Sequence, residues 1–264
     1  MNRRVRTRLP WPMAAAAAIG VSLLVAPLIG LLTRVPWAEL GTLLTSEVAV
    51  DALRISSIAS AAAALIAVVV GVPVAWVLAR VDFPGRSLLR GLVLLPLVLP
   101  PVVGGAALLF TFGRRGLLGE PLHRLTGIVL PFSTGGVILA VTFVSMPFLI
   151  VTVEGALRSL DPRYEGAAAS LGAGRWTVLR RVTLPMIGPS LASGLILTWA
   201  RALGEFGATI AFAGNLPGRT QTLPLAVFVQ LESDRDAAVA LSVVMVAISL
   251  AVLVVLRDRW WRAP

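Results

Sequence analysis

The chain has no cysteine, no lysine and a single histidine, His123, among its 264 residues. Without cysteine there is no disulfide, no thiolate nucleophile and no iron–sulfur ligation, and one histidine leaves no Cys/His zinc site. Without lysine there is no Walker A loop, because that motif needs its lysine to reach the nucleotide phosphates. The chain is therefore expected to bind no cofactor or metal and to hydrolyse no ATP by that route. Charge is scarce as well: 14% of residues are charged, where a soluble domain carries about 25%. With 57% hydrophobic residues and a mean hydropathy of +0.89, this is the composition of a membrane protein. No paired carboxylates stand at useful spacing near a bilayer surface, which argues against a membrane enzyme.

What is present is apolar sequence in long runs and arginine between them. Six runs reach the roughly 20 residues that a bilayer-crossing helix needs, at about 12–33, 55–79, 89–112, 132–157, 186–213 and 237–256. Backbone groups in lipid must be satisfied within their own segment, so an all-α protein with six transmembrane helices is expected. The first run exceeds the h-region of a signal peptide and reads as a retained helix. All 23 basic residues are arginine and the net charge is +10. Such a charge suits nucleic acid, but the arginines sort by membrane side instead. With the N-terminus inside, the cytoplasm receives Arg3, Arg4, Arg6, Arg8, Arg80, Arg86, Arg90, Arg158, Arg163, Arg175, Arg180, Arg181, Arg257, Arg259 and Arg262. The positive-inside rule favours this orientation, with both termini cytoplasmic. The C-terminal Arg257–Arg262 stretch, with its tryptophan pair, reads as an interfacial anchor.

Two segments stand out from this pattern. The first, Asp161 to Pro185, separates the fourth and fifth runs and falls on the cytoplasmic side. Glu165 to Ser170 is rich in alanine, the best helix former. Gly172 and Gly174 interrupt that helix, Arg175, Arg180 and Arg181 follow, and Pro185 suits the start of the next helix. The second segment is Trp199 to Pro224. Arg201 and Glu205 are four apart and able to pair along one helix face, and ionisable residues within a span usually face a cavity or the bundle interior. Ala200, Gly204 and Ala208 form a small-residue stripe suited to close helix packing, and Gly207 adds a second close-approach point. Arg201, Gly204, Glu205, Gly207 and Thr209 are the candidates for a pathway lining or a helix interface. Glu205 is the one obvious acidic residue of the spans. Pro96, Pro100 and Pro101 predict a kinked third span.

The first segment resembles the cytoplasmic loop of type I ABC importer permeases, which approximates Glu-Ala-Ala, three residues, Gly, nine residues, then Ile-x-Leu-Pro. Aligned on Gly172, Ala167 and Ala168 take the alanine pair and Val182-Thr183-Leu184-Pro185 the closing element. The acidic position falls on Gly166, with Glu165 one residue earlier. A helix turns by about 100° per residue, so Glu165 cannot simply replace the missing carboxylate. Arg201 to Gly207 and the run Pro217-Gly-Arg-Thr-Gln-Thr-Leu-Pro224 resemble permeases for tetrahedral oxyanions, molybdate or tungstate foremost, with sulfate or thiosulfate as the alternative. The resemblance covers about residues 50–256.

It implies a type I permease fold: a tail, first helix and external loop over 1–50, a permease core over 51–257 with a docking loop at about 158–184, and a cytoplasmic tail over 258–264. It implies that Glu165, Gly166, Ala167, Ala168, Gly172, Arg175, Leu184 and Pro185 form the loop that couples to an ATPase. It also implies partners: an ABC ATPase subunit that uses ATP and Mg, a periplasmic or lipid-anchored oxyanion-binding protein, and a second copy of the chain, in a bacterial inner membrane. An ion-coupled secondary transporter is the rival from another class. Such proteins often show internal repeats, and no clear repeat relates the two halves here.

Overall fold

The computed structural model describes residues 10–260, with side chains to Leu256. The arginine cluster at Arg3 to Arg8 and the anchor residues from Arg257 onward lie outside the described side chains. Among the described residues the regular structure is helix throughout, as the composition requires. The elements are α1 (Trp11–Leu32), α2 (Leu40–Leu44), α3 (Glu47–Arg80), α4 (Arg86–Val98), α5 (Pro101–Phe112) and α6 (Gly119–Thr126), followed by α7 (Thr134–Ser159), α8 (Pro162–Ser170), α9 (Arg175–Leu203), α10 (Gly207–Ala213), α11 (Leu223–Ser233) and α12 (Arg235–Trp260). α1, α3, α7, α9 and α12 are each long and apolar enough to cross a membrane, and α4 with α5 together carry the apolar length of a sixth span across a sharp bend.

α7 is the centre of the bundle. Ser133 caps its N-terminus by accepting a hydrogen bond from the Gly136 N–H at 3.1 Å. Leu149, Ile150, Val153 and Leu157 recur at helical spacing and pack against Ala67, Ala75 and Leu78 of α3 and Ile187 of α9. Higher on the same helix Val137 and Val141 meet Ala59, Ala63, Ala202 and Ala213. Ala140 and Val144 meet Leu108, Ala208 and Phe212. The alanines at these contacts let neighbouring backbones close in, which is how helices gain packing energy in lipid. α1 lies at the other extreme, with no buried residue and contacts to α12.

Four sequence expectations change. The third run is not one kinked helix: α4 ends at Val98, α5 starts at Pro101, and their axes differ by 118°. Pro101 has no N–H to continue the ladder and its ring excludes helical geometry at Pro100. Leu99 and Pro100 accordingly sit extended, at ψ 131° and 130°. The fifth run is not a single helix through 213 either: it stops at Leu203, and Gly204 to Phe206 separate α9 from α10. Its start also differs, because the helix begins at Arg175 and runs through Leu184-Pro185 without a break. A wide π turn at Leu179–Thr183 precedes Pro185, and another at Ala67–Gly71 precedes Pro73. Widening the turn relieves the clash between a proline ring and the carbonyl four residues earlier, so each helix passes its proline. Finally, α11, an apolar helix of 11 residues, lies outside all six expected runs.

Candidate functional site

At the arginine-rich end of the bundle, α7 hands over to α8. Asp161 caps α8, accepting from the Arg163 N–H at 2.9 Å, and Pro162 fills the first helical position. The helix closes at Gly172, whose φ of +85° is the left-handed conformation glycine adopts without penalty. The Ala173 N–H donates to the Ala168 carbonyl at 3.1 Å and the Gly172 N–H to the Ala169 carbonyl at 3.0 Å, a Schellman closure. Gly166, Ala167 and Gly172 are exposed and Ala168 is half-buried. Tyr164, Ala167 and Leu171 share the solvent face, where Leu171 is 89% exposed. Arg175 is exposed at the start of α9, Pro185 is exposed within it, and Leu184 packs on the central core.

Glu165 points the other way. Its Oε1 accepts from the Thr183 hydroxyl at 2.7 Å and its Oε2 lies 3.3 Å from Arg80 Nη2 at the end of α3. Beside it, a cavity of about 630 Å³ opens between the segment and Trp76, lined also by Gly166, Ala169, Arg175 and Trp176.

Glu154 is a second anchor, and the expectation of Glu205 as the one acidic residue of the spans missed it. It lies on α7, 4% exposed, and binds Arg90 of α4 and Arg158 of its own helix, the latter at 3.1 Å. Arg158 Nη2 also donates to the Leu78 carbonyl at 3.3 Å, and Arg86 Nε donates to the same oxygen at 2.9 Å. Cations thus satisfy carbonyls left free at the C-terminus of α3, where the helix dipole is negative. One carboxylate and three arginines join α3, α4 and α7. The signal available in the sequence was the spacing of Glu154 and Arg158, one helical turn apart at the edge of a span.

The second candidate segment lies where the two broken spans meet. Arg201 Nη1 and Glu205 Oε2 are 2.6 Å apart, so the pair forms, but not along one helix as the spacing suggested. Glu205 lies past the end of α9, and its Oε1 accepts from the Ala208 N–H at 2.8 Å, satisfying a free amide in the first turn of α10. Its side chain is 1% exposed and that of Arg201 is 30% exposed. The break also dissolves the proposed stripe: Gly204 is exposed, and the nearest atom to a Cβ there is the Ala200 oxygen at 3.7 Å. The close approach is made by Gly207, where a Cβ would fall 2.7 Å from Pro101 Cβ, and by Gly105, which the sequence did not single out. Thr209 is fully buried on α10, and its hydroxyl has no partner among the described residues.

Spans broken inside the bundle, ion pairs buried beside them and a helical inter-span segment at the arginine-rich end define a multi-pass membrane transport component. Residues 67–263 match the family described as binding-protein-dependent transport system inner membrane component, and the chain belongs to that family. It is accordingly a transport subunit of the inner membrane. The molybdenum transport system permease protein of Mycobacterium tuberculosis is 48% identical over 94% of this chain and 93% of its own length. Its Escherichia coli counterpart is 41% identical over 80% of this chain and 92% of its own. An E. coli sulfate transport system permease protein is 39% identical over 84% of this chain and 80% of its own. The fold is also that of a chain of a bacterial alginate ABC transporter solved with an alginate pentasaccharide-bound periplasmic protein. That chain superposes with a TM-score of 0.72 at 20% identity over 94% of each chain.

Proposed function

We propose that this chain is the permease through which molybdate or tungstate crosses the inner membrane, driven by a separate ATPase that docks on residues 161–185. The observation carrying the reading is the 48% identity to a molybdenum permease across 94% of the chain. The arginine-rich end faces the cytoplasm, following the positive-inside rule. The exposed face of α8, with Tyr164, Ala167 and Leu171, enters the ATPase. Two copies of the chain form the pathway, and an oxyanion-binding protein delivers the anion at the opposite end. ATP and Mg belong to the ATPase. The 39% identity to a sulfate permease supports sulfate or thiosulfate as the second reading.

The test is uptake of labelled molybdate by the reconstituted transporter. Unlabelled tungstate is expected to compete and a large excess of sulfate to leave uptake unchanged, with vanadate inhibiting and proton uncouplers without effect. Equal competition by sulfate moves the substrate to the second reading.

Coupling through the segment is tested at Gly172. Open space surrounds a Cβ at this position, so the uncharged, β-branched Gly172→Val acts through the backbone. A left-handed non-glycine residue costs about 1–2 kcal/mol, which favours unwinding of the α8 closure. The variant is expected to reach the membrane normally yet to hydrolyse ATP without matching uptake. A wild-type ratio of anion moved to ATP hydrolysed would overturn the assignment.

A further inference from the structure

We propose that Glu165 is the positioning residue that ties the docking helix to the transmembrane core, so that movement of α8 reaches α3 and α9 through its carboxylate. The inference rests on the ATPase-driven reading above and concerns a contact inside this chain rather than one with the ATPase.

α8 is poorly held by packing. None of its residues is buried, and the 630 Å³ cavity lies between this segment and Trp76 of α3. Apolar contact therefore cannot transmit much force from α8 to the spans, since dispersion fails across a gap. Among the described residues, Glu165 is the α8 side chain with polar partners in other elements. Asp161 and Ser170 bond within the helix itself. The two oxygens of Glu165 go to different spans: Oε2 to Arg80, the last residue of α3, and Oε1 to Thr183, in the π turn of α9.

Both partners are screened from solvent, and Arg80 Nε and Nη2 have no hydrogen-bond partner among the described residues, which leaves the Glu165 carboxylate as the counter-charge of Arg80. Thr183 is fully buried, and the Arg80 side chain is only 20% exposed, as is that of Glu165 at 21%. Shielded from water, such a bridge is stronger than an exposed one. The π turn at Thr183 is also a place where α9 departs from regular helix, a kind of turn frequent at functional sites.

The register of the loop gives the same result. A carboxylate at 166 would be rotated by about 100° from one at 165. At 166 this chain has glycine, exposed, with open space where a Cβ would be. At 165 the carboxylate lies beneath the helix. The solvent face of Tyr164, Ala167 and Leu171 is thus left apolar for the partner, while the acid grips the core.

The experiment uses the full transporter, permease with its ATPase, reconstituted in liposomes with labelled molybdate inside-directed uptake and ATP hydrolysis measured together. Glu165→Gln and Arg80→Gln are each expected to keep the ATPase bound through purification. In both, ATP hydrolysed per anion transported should rise by about fivefold or more, the lower bound of a typical coupling between sites. The charge swap Arg80→Glu with Glu165→Arg should bring the ratio back toward wild type, which a merely structural defect at either residue would not do. A normal ratio in Glu165→Gln overturns the proposal. So does loss of the ATPase from Glu165→Gln, since that places the residue in the docking face. If Glu165→Gln fails to accumulate, the swap against Arg80→Glu alone decides in the same way. Absence of ATP-driven molybdate uptake in the wild-type transporter would instead strike the proposed function.

Discussion

Gly105→Val is expected to abolish transport and to lower the melting temperature of the purified protein more than any substitution at an exposed glycine. α5 and α10 approach so closely that a Cβ on Gly105 would lie 2.6 Å from Ala211 Cβ and 2.8 Å from the Ala208 oxygen. Both obstacles are backbone or Cβ atoms, so no rotamer change makes room. Overpacking of this kind costs about 1–3 kcal/mol or more where the surroundings cannot yield. The contact also fastens the second half of the broken third run to the short helix after α9, and Gly207 against Pro101 does the same one turn away. Separating these helices therefore disturbs the part of the bundle where both spans change direction. Gly91→Ala is the control: a Cβ there meets nothing within 4 Å, and removing an interior helix glycine stabilises by roughly 0.5–1 kcal/mol. The readouts are size-exclusion profile, thermal unfolding in detergent and uptake in liposomes. Wild-type stability in Gly105→Val would show that α5 and α10 are not in this contact.

The second large effect is expected at Arg201. Glu205 is 1% exposed and its two oxygens are used by Arg201 and by the Ala208 N–H. Arg201→Ala leaves that carboxylate buried with one neutral donor. Breaking a buried ion pair by removing one partner costs about 3–5 kcal/mol, enough to deplete a marginally stable protein from the membrane. Glu205→Gln should be milder, because an amide oxygen still accepts from Ala208 and Arg201, at 30% exposure, has access to water. The double variant Arg201→Ala, Glu205→Gln should be more stable than Arg201→Ala alone. That sign is the signature of a coupled pair, read by a double-mutant cycle on unfolding temperature. Additive losses would mean that the two residues act independently. The neutrality of the pair also bears on transport, since an arginine already bound to a carboxylate gives little net attraction to an anion.

The residues just discussed show where sequence reasoning stopped. Arg201 and Glu205 were legible as a pair from their spacing, yet the helix ends between them, and Glu205 accepts from a first-turn amide of the next helix. The apolar run on either side gave no sign of that, because one charged residue is compatible with an unbroken helix whose Glu205 pairs with Arg201 one turn earlier. Pro100 and Pro101 were legible as an interruption, while the 118° bend between α4 and α5 depends on α10 being there to receive α5. Gly105 was indistinguishable from its neighbour Gly104 until the structure placed Ala211 against it. Glu154 was one turn from Arg158 in sequence, but Arg90 is 64 residues away. Glu165 is a similar case. Helical rotation showed that it could not occupy the position of residue 166, and only the fold placed Arg80 and Thr183 beneath it.

The amino-acid sequence is enough to establish an all-α membrane protein with six apolar runs and a helix in the inter-span segment from Asp161 to Pro185. These are sums over neighbouring residues: the apolar length of a run, the arginines flanking it, the alanines and glycines that start and stop a turn. A local sum needs no knowledge of the rest of the chain, and in lipid the backbone has few alternatives to helix. The tertiary structure decided the rest: that two spans break against each other at Gly105 and Gly207, that Glu154 joins three helices, and that Glu165 faces the core rather than a partner. Each of these depends on which residues, distant along the chain, come within a few ångströms, because both steric exclusion and ion pairing fall away over that distance.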